Sequence, residues 1–305
     1  MNLPAIKAQT GLSGKSSAAG YRGRIAPTPT GFLHLGHART FGTAWQRAQA
    51  AGGTLLYRLE DLDQARCRPE FAAAAVEDLR WYGLDWQEGP DMGGPHASYI
   101  QSERGDWHRE IWRRLKDGGH IYPSPHSRRE VQAAQQAASA PNEGDAPEPI
   151  FPPSLRPPPG TGQNRTHPGE ENWRFRVPDG EGVGFEDGRL GQSVFTAGVD
   201  FGDFIVWRRD GFAAYDLAVV ADDHAMEITE VVRGEDLLLA TAKQLLLYRA
   251  LGWEAPAWFH TPLVRDAEGV RLAKRHASLS IRALAEAGWR AERLWRELPP
   301  GFFVS

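Results

Sequence analysis

Two imidazoles three residues apart, His34 and His37, sit in a stretch that reads RIAPTPTGFLHLGHARTFGTAW from Arg24 to Trp45. Histidines at the start of a helix can donate to phosphate oxygens, and the helix dipole favours negative charge there. In that reading Pro27 and Pro29 stiffen the turn that leads in, while Gly31 and Gly36 let the backbone approach a ligand. The same residues also suit a tight strand-to-helix connection and nothing more, since proline and glycine punctuate turns and histidine is tolerated in a core. A second phosphate-like stretch, GLSGKSSAAG, fails as a P-loop: the required first glycine would fall at Gln9, and no strand precedes it. The lone Cys67 excludes an internal disulfide and any multi-cysteine metal centre.

The elements that must position these side chains follow a βαβ rhythm from Tyr21 onward. A short strand over Arg22 to Ala26 leads through the proline turn into a helix from about Gly36 to Gly52. TLLYRLEDLD then reads as a buried strand ending in a burst of charge, and helices follow around Pro69 to Tyr82 and Glu103 to Gly118. Alternation of strand and helix predicts a parallel sheet with right-handed crossovers. Between Ser139 and Pro168 lie nine of the chain's 22 prolines, so that segment is a loop or insertion, partly disordered, and not a central strand or helix. From Asn172 short strands (NWRFRV, FIVWRR) alternate with glycine and aspartate turns. The αβ rhythm then returns with a helix in AAYDLAVVADDHA, a strand in EITEVVRG and an amphipathic helix in EDLLLATAKQLLLYRALG, closed by Gly252.

The chain has 305 residues, 41% hydrophobic and 24% charged, which suits a globular protein of one large or two smaller domains. No apolar run reaches the length of a membrane span, and residues 1–20 lack the apolar core of a secretory signal, so we expect a flexible leader and a cytoplasmic protein with no membrane partner. A net charge of −4 gives no global pull toward nucleic acid, although local patches can still bind RNA.

Four stretches, PTGFLHLGH, YRLEDLD, AYDLAVVADDH with ITEVVRGEDL, and RLAKR, occur in the order and character found in class I glutamyl-tRNA synthetases, and the resemblance covers most of residues 21 to 285. Only about 30 residues follow Lys274, so the chain resembles the truncated branch of that family, the glutamyl-queuosine tRNA(Asp) synthetases. The resemblance implies an α/β fold: a Rossmann-like class I catalytic domain with an inserted acceptor-stem-type subdomain and no anticodon-binding domain. The expected bounds are 21–121 and 199–305 for the two catalytic halves and 122–198 for the insertion, with its Pro-rich loop at 139–168. It implies ATP-dependent, tRNA-independent activation of L-glutamate as glutamyl-adenylate, with Mg2+ accompanying ATP, and transfer to the queuosine base at the wobble position of tRNA(Asp). The expected partners are L-glutamate, ATP and the queuosine-bearing anticodon stem-loop, and the protein is expected to act as a monomer. A glutamyl-tRNA synthetase of unusual brevity and a non-catalytic paralogue that binds RNA or an amino acid are the competing readings.

The resemblance also implies roles for individual residues. Arg24 and Arg233 would meet the substrate carboxylates with fork-shaped, permanently charged donors, Glu60 would meet the ammonium, and Ala26, Thr28 and Tyr215 would complete the glutamate pocket. His34, Gly36 and His37 would bind ATP, and Lys274 would neutralise the departing pyrophosphate. The lysine loop departs from the family's KMSKS: Arg271 replaces its first lysine and Ala273 its serine, so loop closure is expected to slow and the chemistry to survive. Many relatives carry zinc ligands where this chain has Ser124, His126, Phe151 and Leu155, and one candidate ligand in four predicts that zinc is absent. Arg58, Asp61 and Asp63 read as a surface ion-pair cluster, Asp222 to His224 as structural or ATP-adjacent, and Trp81, Trp86, Trp107 and Trp112 as packing residues.

Overall fold

A computed structural model describes residues 20–126, 129–131, 150–264 and 280–297 of the chain. In chain order its elements are β1 (Arg22–Ile25), α1 (Leu35–Ala50), β2 (Thr54–Tyr57), α2 (Pro69–Trp81), α3 (Gly105–Asp117), β3 (Ile121–Ser124), β4 (Asn172–Phe175) and β5 (Gly182–Asp187). They continue with β6 (Gly191–Thr196), β7 (Phe204–Trp207), α4 (Tyr215–Ala225), β8 (Glu230–Gly234), α5 (Leu238–Leu251), β9 (Ala257–Thr261), α6 (Ile281–Glu286) and α7 (Ala291–Glu297). These elements divide between two compact units. The first takes Met1–Ile100, Ile228–Asp236 and Pro256–Ser305, and the second takes Gln101–Glu227 and Leu237–Ala255.

In the first unit β1 and β2 pair in parallel, Arg22 opposite Thr54 and Ile25 opposite Tyr57, with α1 as the crossover between them. β8 and β9 form a second parallel pair. β8 is joined to β1 through its lead-in residue: Thr229 N–H donates to Arg22 O at 2.9 Å, and Arg22 N–H to the Thr229 hydroxyl at 2.9 Å. The apolar residues of these strands and helices share one core, including Ile25, Leu55, Leu79, Tyr82, Val232 and Phe259. Each fully buried side chain of this size contributes about 1.5–3 kcal/mol relative to exposure. Arg47, near the end of α1, grips the Glu230 carboxylate through Nε (2.7 Å) and Nη2 (2.6 Å) and stacks 4.2 Å from the Phe259 ring centre, tying α1 to the start of β8. α2 begins with Pro69 in its first turn, where the missing N–H costs nothing.

The expected long strand in TLLYRLEDLD ends early. Beyond Tyr57 the chain stays extended but shares its amides among three neighbours: Arg58 N–H donates to Ile25 O (2.9 Å), Leu59 N–H to Tyr99 O (2.9 Å) and Glu60 N–H to Pro27 O (3.0 Å). The last of these bonds and Arg68 N–H to Pro29 O (3.0 Å) pin the proline turn after β1.

In the second unit β3, β4 and β7 form an antiparallel sheet, with Tyr122 opposite Arg174 and Phe175 opposite Phe204. Trp112 of α3 meets Trp173 of β4 edge to face at 4.9 Å. β5 and β6 form a hairpin whose turn is held by Asp187, its Oδ1 accepting from Arg189 N–H (3.0 Å) and Leu190 N–H (2.9 Å). β5 alternates exposed and buried residues, the period of a half-buried strand. α5 ends as expected at Gly252, whose φ of 68° is the left-handed cap. Its expected amphipathicity is not observed, because Thr241, Lys243 and Gln244 are buried along with Leu246 and Leu247, while Leu238, Leu239, Leu245 and Leu251 are only partly buried.

Candidate active site

α1 starts at His34, whose extended backbone (φ −111°) makes it the N-cap. His34 Nδ1 accepts from Gly36 N–H at 3.0 Å, and His37 Nδ1 accepts from His34 N–H at 3.1 Å, so the two histidines build a reciprocal capping box in place of the usual serine and glutamate. A neutral imidazole carries one proton, so with Nδ1 accepting in both rings the proton lies on Nε2, which is each ring's donor. The rings stack with centroids 3.9 Å apart. Gly36 is required for this packing, since a Cβ there would lie 2.8 Å from His34 Cε1. The first turn of α1 contains no acidic residue, which keeps its positive end available to an anion.

Arg24, at the end of β1, is buried, and its Nη1 donates to Val232 O at 3.1 Å on β8. The next residue of β8 is Arg233, also buried. Its Nε–H donates to His260 Nε2 at 3.3 Å, and its guanidinium lies 4.7 Å from the Trp258 ring centre. Glu60 is 7% exposed and accepts at Oε1 from Arg58 Nη2 (2.9 Å) and Nε (3.3 Å). Ala26 is partly exposed and Thr28 exposed, both on the turn pinned by Glu60 and Arg68. Arg24, Ala26, Thr28, His34, Gly36, His37, Glu60 and Arg233 thus all belong to the first unit. Tyr215 belongs to the second, as the first residue of α4 and 40% exposed. Lys274 and the rest of the Arg271–Arg275 loop lie outside the described residues.

One expectation is overturned here. Arg58 is not a surface residue: it is wholly buried, and its guanidinium holds Glu60. In an extended segment residues two apart share a face, so Arg58 and Glu60 point the same way into the unit. Asp63 does form an exposed pair, with Arg66 (2.6 Å). Burial together with the carboxylates of Asp61 and Asp63 pushes the Cys67 thiol up, away from nucleophilic thiolate character.

A family model for the class I tRNA synthetases (E and Q), catalytic domain, matches residues 21–298. The chain is 46% identical over 272 residues to a glutamyl-Q tRNA(Asp) synthetase of Symbiobacterium thermophilum, covering 88% of this chain and 83% of the relative. The chain belongs to the class I tRNA synthetases (E and Q), in their glutamyl-Q tRNA(Asp) synthetase group. It is an aminoacyl-tRNA-synthetase-type ligase. A relative of the same name from Nitratidesulfovibrio vulgaris is also 46% identical, over 88% of this chain and 82% of its own. Glutamate–tRNA ligase 1 of Halorhodospira halophila is 40% identical over 89% of this chain but only 56% of its own length. Among solved structures, a glutamate tRNA ligase from Elizabethkingia meningosepticum in complex with its amino acid aligns with a TM-score of 0.71 at 29% identity, covering 88% of this chain and 53% of that one.

In this class I synthetase the four positions that the resemblance singles out for zinc ligands do other work. Ser124 Oγ is buried and accepts from Arg174 Nε at 3.2 Å. Phe151 is 1% exposed in a cluster with Tyr122 and Val131, against which Leu155 packs, and the Arg174 guanidinium lies 4.3 Å from its ring centre. His126 lies with its ring 6.1 Å from Phe151. Alongside, the Asp203 carboxylate accepts from the Tyr122 hydroxyl and from Arg156 Nε and Nη2 (both 2.7 Å). Burial and the Asp203 charge push the Tyr122 phenol up, which keeps it protonated as the donor. Apolar packing and a hydrogen bond from Arg174 engage the four positions, and this set does not fit a zinc ion. Elemental analysis of protein purified without a histidine tag is expected to show well under one zinc per chain; a stoichiometric metal resisting mild chelation would contradict it.

Asp222 and Asp223 of the ADDH stretch are buried in the second unit. Asp222 accepts from Gln101 Nε2 (2.9 Å), Arg104 Nε (2.6 Å) and His108 Nε2 (3.0 Å), a structural anchor for α4. Among the described residues no group of three or more histidine, cysteine or acidic side chains could hold a metal ion. Of the tryptophans expected to pack, Trp86 stacks on Tyr57 at 5.0 Å and Trp107 on Trp253 at 6.4 Å. Sequence reasoning missed Arg58, Trp258 and His260. Arg58 carried a signal, its i, i+2 spacing to Glu60, whereas the pairing of His260 with Arg233 depends on two strands more than twenty residues apart.

Proposed function

We propose that this synthetase activates L-glutamate with ATP, without needing tRNA, and transfers the glutamyl group to the queuosine base at the wobble position of tRNA(Asp). The observation that carries this reading is its 46% identity to glutamyl-Q tRNA(Asp) synthetases over more than four fifths of both chains. An α-carboxylate oxygen of glutamate attacks the α-phosphorus of ATP, the bond to the β-phosphate breaks, and pyrophosphate leaves. A hydroxyl of the queuosine cyclopentenediol then attacks the acyl carbon, and AMP leaves.

In this proposal Arg24 and Arg233 pair with the two carboxylates, while Glu60, held by Arg58, meets the ammonium. Ala26 and Thr28 complete the part of the glutamate pocket that the first unit carries. His34 and His37 donate their Nε2 hydrogens to the phosphates as charge builds at the α-phosphorus, and the positive end of α1 adds to that field. ATP enters with Mg2+, whose charge offsets that of the phosphates, and Lys274 neutralises the departing pyrophosphate. Residues 21–121 and 199–305 supply the catalytic halves around the 122–198 insertion. The protein acts as a monomer in the cytoplasm; no described helix is long and apolar enough to cross a membrane.

The 40% identity to a glutamate–tRNA ligase favours a second reading that shares the activation step and differs in where glutamate is placed. Charging assays with tRNA(Asp) bearing or lacking queuosine, run beside tRNA(Glu), separate the two. Glutamate is expected to appear on the anticodon-loop base, and only on the queuosine form. Glutamate at a 3′ end of tRNA(Glu) would replace the proposal with the second reading. Pyrophosphate exchange with glutamate, ATP and Mg2+ alone is expected above background, and its absence in folded protein would remove tRNA-independent activation.

A further inference from the structure

The parallel register of β8 and β9 sets Arg233 opposite His260 and Val231 opposite Trp258. Trp258 and His260 are two residues apart on one strand and so share a face, and their rings lie nearly parallel, 15° apart. Arg233 occupies that face: its Nε–H reaches His260 Nε2 at 3.3 Å, and its guanidinium lies 4.7 Å from the Trp258 ring centre. An arginine Nε always bears a hydrogen and never accepts, so His260 Nε2 must be the acceptor. The imidazole is then neutral, with its proton on Nδ1. His260 is wholly buried, where a second cation against a guanidinium would be costly, and this reinforces the neutral form.

We propose that His260 is the positioning residue for glutamate recognition. It engages Nε, Trp258 supports the guanidinium, and the side chain of Arg233 is thereby held in one orientation. With Nε engaged, a substrate carboxylate meets the guanidinium end-on, through Nη1 and Nη2. Selection of glutamate over glutamine then depends on His260 as well as on Arg233, because a guanidinium able to swing would lose the bidentate geometry. The proposal rests on the reading of Arg233 as the partner of the side-chain carboxylate, with Arg24 on the α-carboxylate.

The test is pyrophosphate exchange, with glutamate and ATP varied separately, for His260→Leu, His260→Gln, Arg233→Gln and the double variant His260→Leu/Arg233→Gln. His260→Leu is expected to raise the glutamate KM on the order of tenfold, to narrow the preference over glutamine, and to leave the ATP KM unchanged. His260→Gln supplies a side-chain carbonyl to accept the Nε–H and is expected to recover most of that loss. Adding His260→Leu to Arg233→Gln should cost little more, since the first change acts through the second residue. A raised glutamate KM in Arg233→Gln beside a normal one in His260→Leu would remove His260 alone. A normal glutamate KM in Arg233→Gln would remove the reading of Arg233 and the proposal with it. Equal losses in the leucine and glutamine variants would also overturn it. Should the leucine variant not fold, nitrogen NMR of the wild-type imidazole decides: the Nδ1–H tautomer at neutral pH is expected, and an Nε2–H or doubly protonated ring would end the proposal.

Discussion

Replacing Arg233 by glutamine is expected to weaken glutamate activation at least a hundredfold while leaving the ATP requirement nearly unchanged. Glutamate and glutamine are almost isosteric, so a pocket that separates them must use charge. Arg233 is 4% exposed, and breaking a buried ion pair by removing one partner costs about 3–5 kcal/mol, which converts to at least a hundredfold in affinity. The effect should be confined to the amino acid, because in the proposed arrangement the phosphates are held by His34, His37 and Lys274. The measurement is the glutamate and ATP dependence of pyrophosphate exchange for wild type and variant. A near-normal glutamate response would pass the specificity role to Arg24, the other buried guanidinium that reaches β8 in the first unit.

Asp222→Ala is expected to destabilise the protein by about 3–5 kcal/mol, a large share of the total stability of a typical domain. The carboxylate is wholly buried and receives one charged and two further donors, from Arg104, His108 and Gln101. Alanine would leave the Arg104 guanidinium buried without this acceptor and the other two donors unsatisfied. Asp222→Asn keeps the shape and one acceptor oxygen and should lose less. Denaturant unfolding of the three proteins gives the comparison. A change of under about 1 kcal/mol for the alanine variant would mean that solvent or rearranged neighbours satisfy the donors, and the structural role assigned to the ADDH stretch would fall.

Several features were legible in the sequence because a few adjacent residues suffice to determine them. The βαβ start, the helix beginning at the histidine pair and the left-handed cap at Gly252 depend on local hydrogen bonding and on φ angles that only certain residues adopt, and all three appear where the residues place them. The family was legible for a related reason: spaced short motifs carry identity without any knowledge of contacts, and the match over residues 21–298 agrees with them. The strands β3 and β9 were not read, since each spans four or five residues and pairs with a segment more than twenty residues away, and the β5–β6 hairpin was not read although its pairing is local.

Tertiary structure alone decided the environment of the charged residues. Arg58 lies among acidic neighbours in a stretch that looks like surface, yet it is buried because Glu60 compensates it and the amides of residues 58 to 60 bond to two different segments, at Ile25 and Pro27 and at Tyr99. The positions of Ser124, Phe151 and Leu155 said only that zinc ligands were missing; packing showed a Tyr122–Phe151–Val131 cluster with Arg174 over it in their place. His260 carries no local signal at all, and its tautomer follows only from the arginine that the parallel register of β8 and β9 sets against it. Local propensity is a property of neighbours in the chain, whereas burial, charge compensation and proton placement belong to neighbours in space.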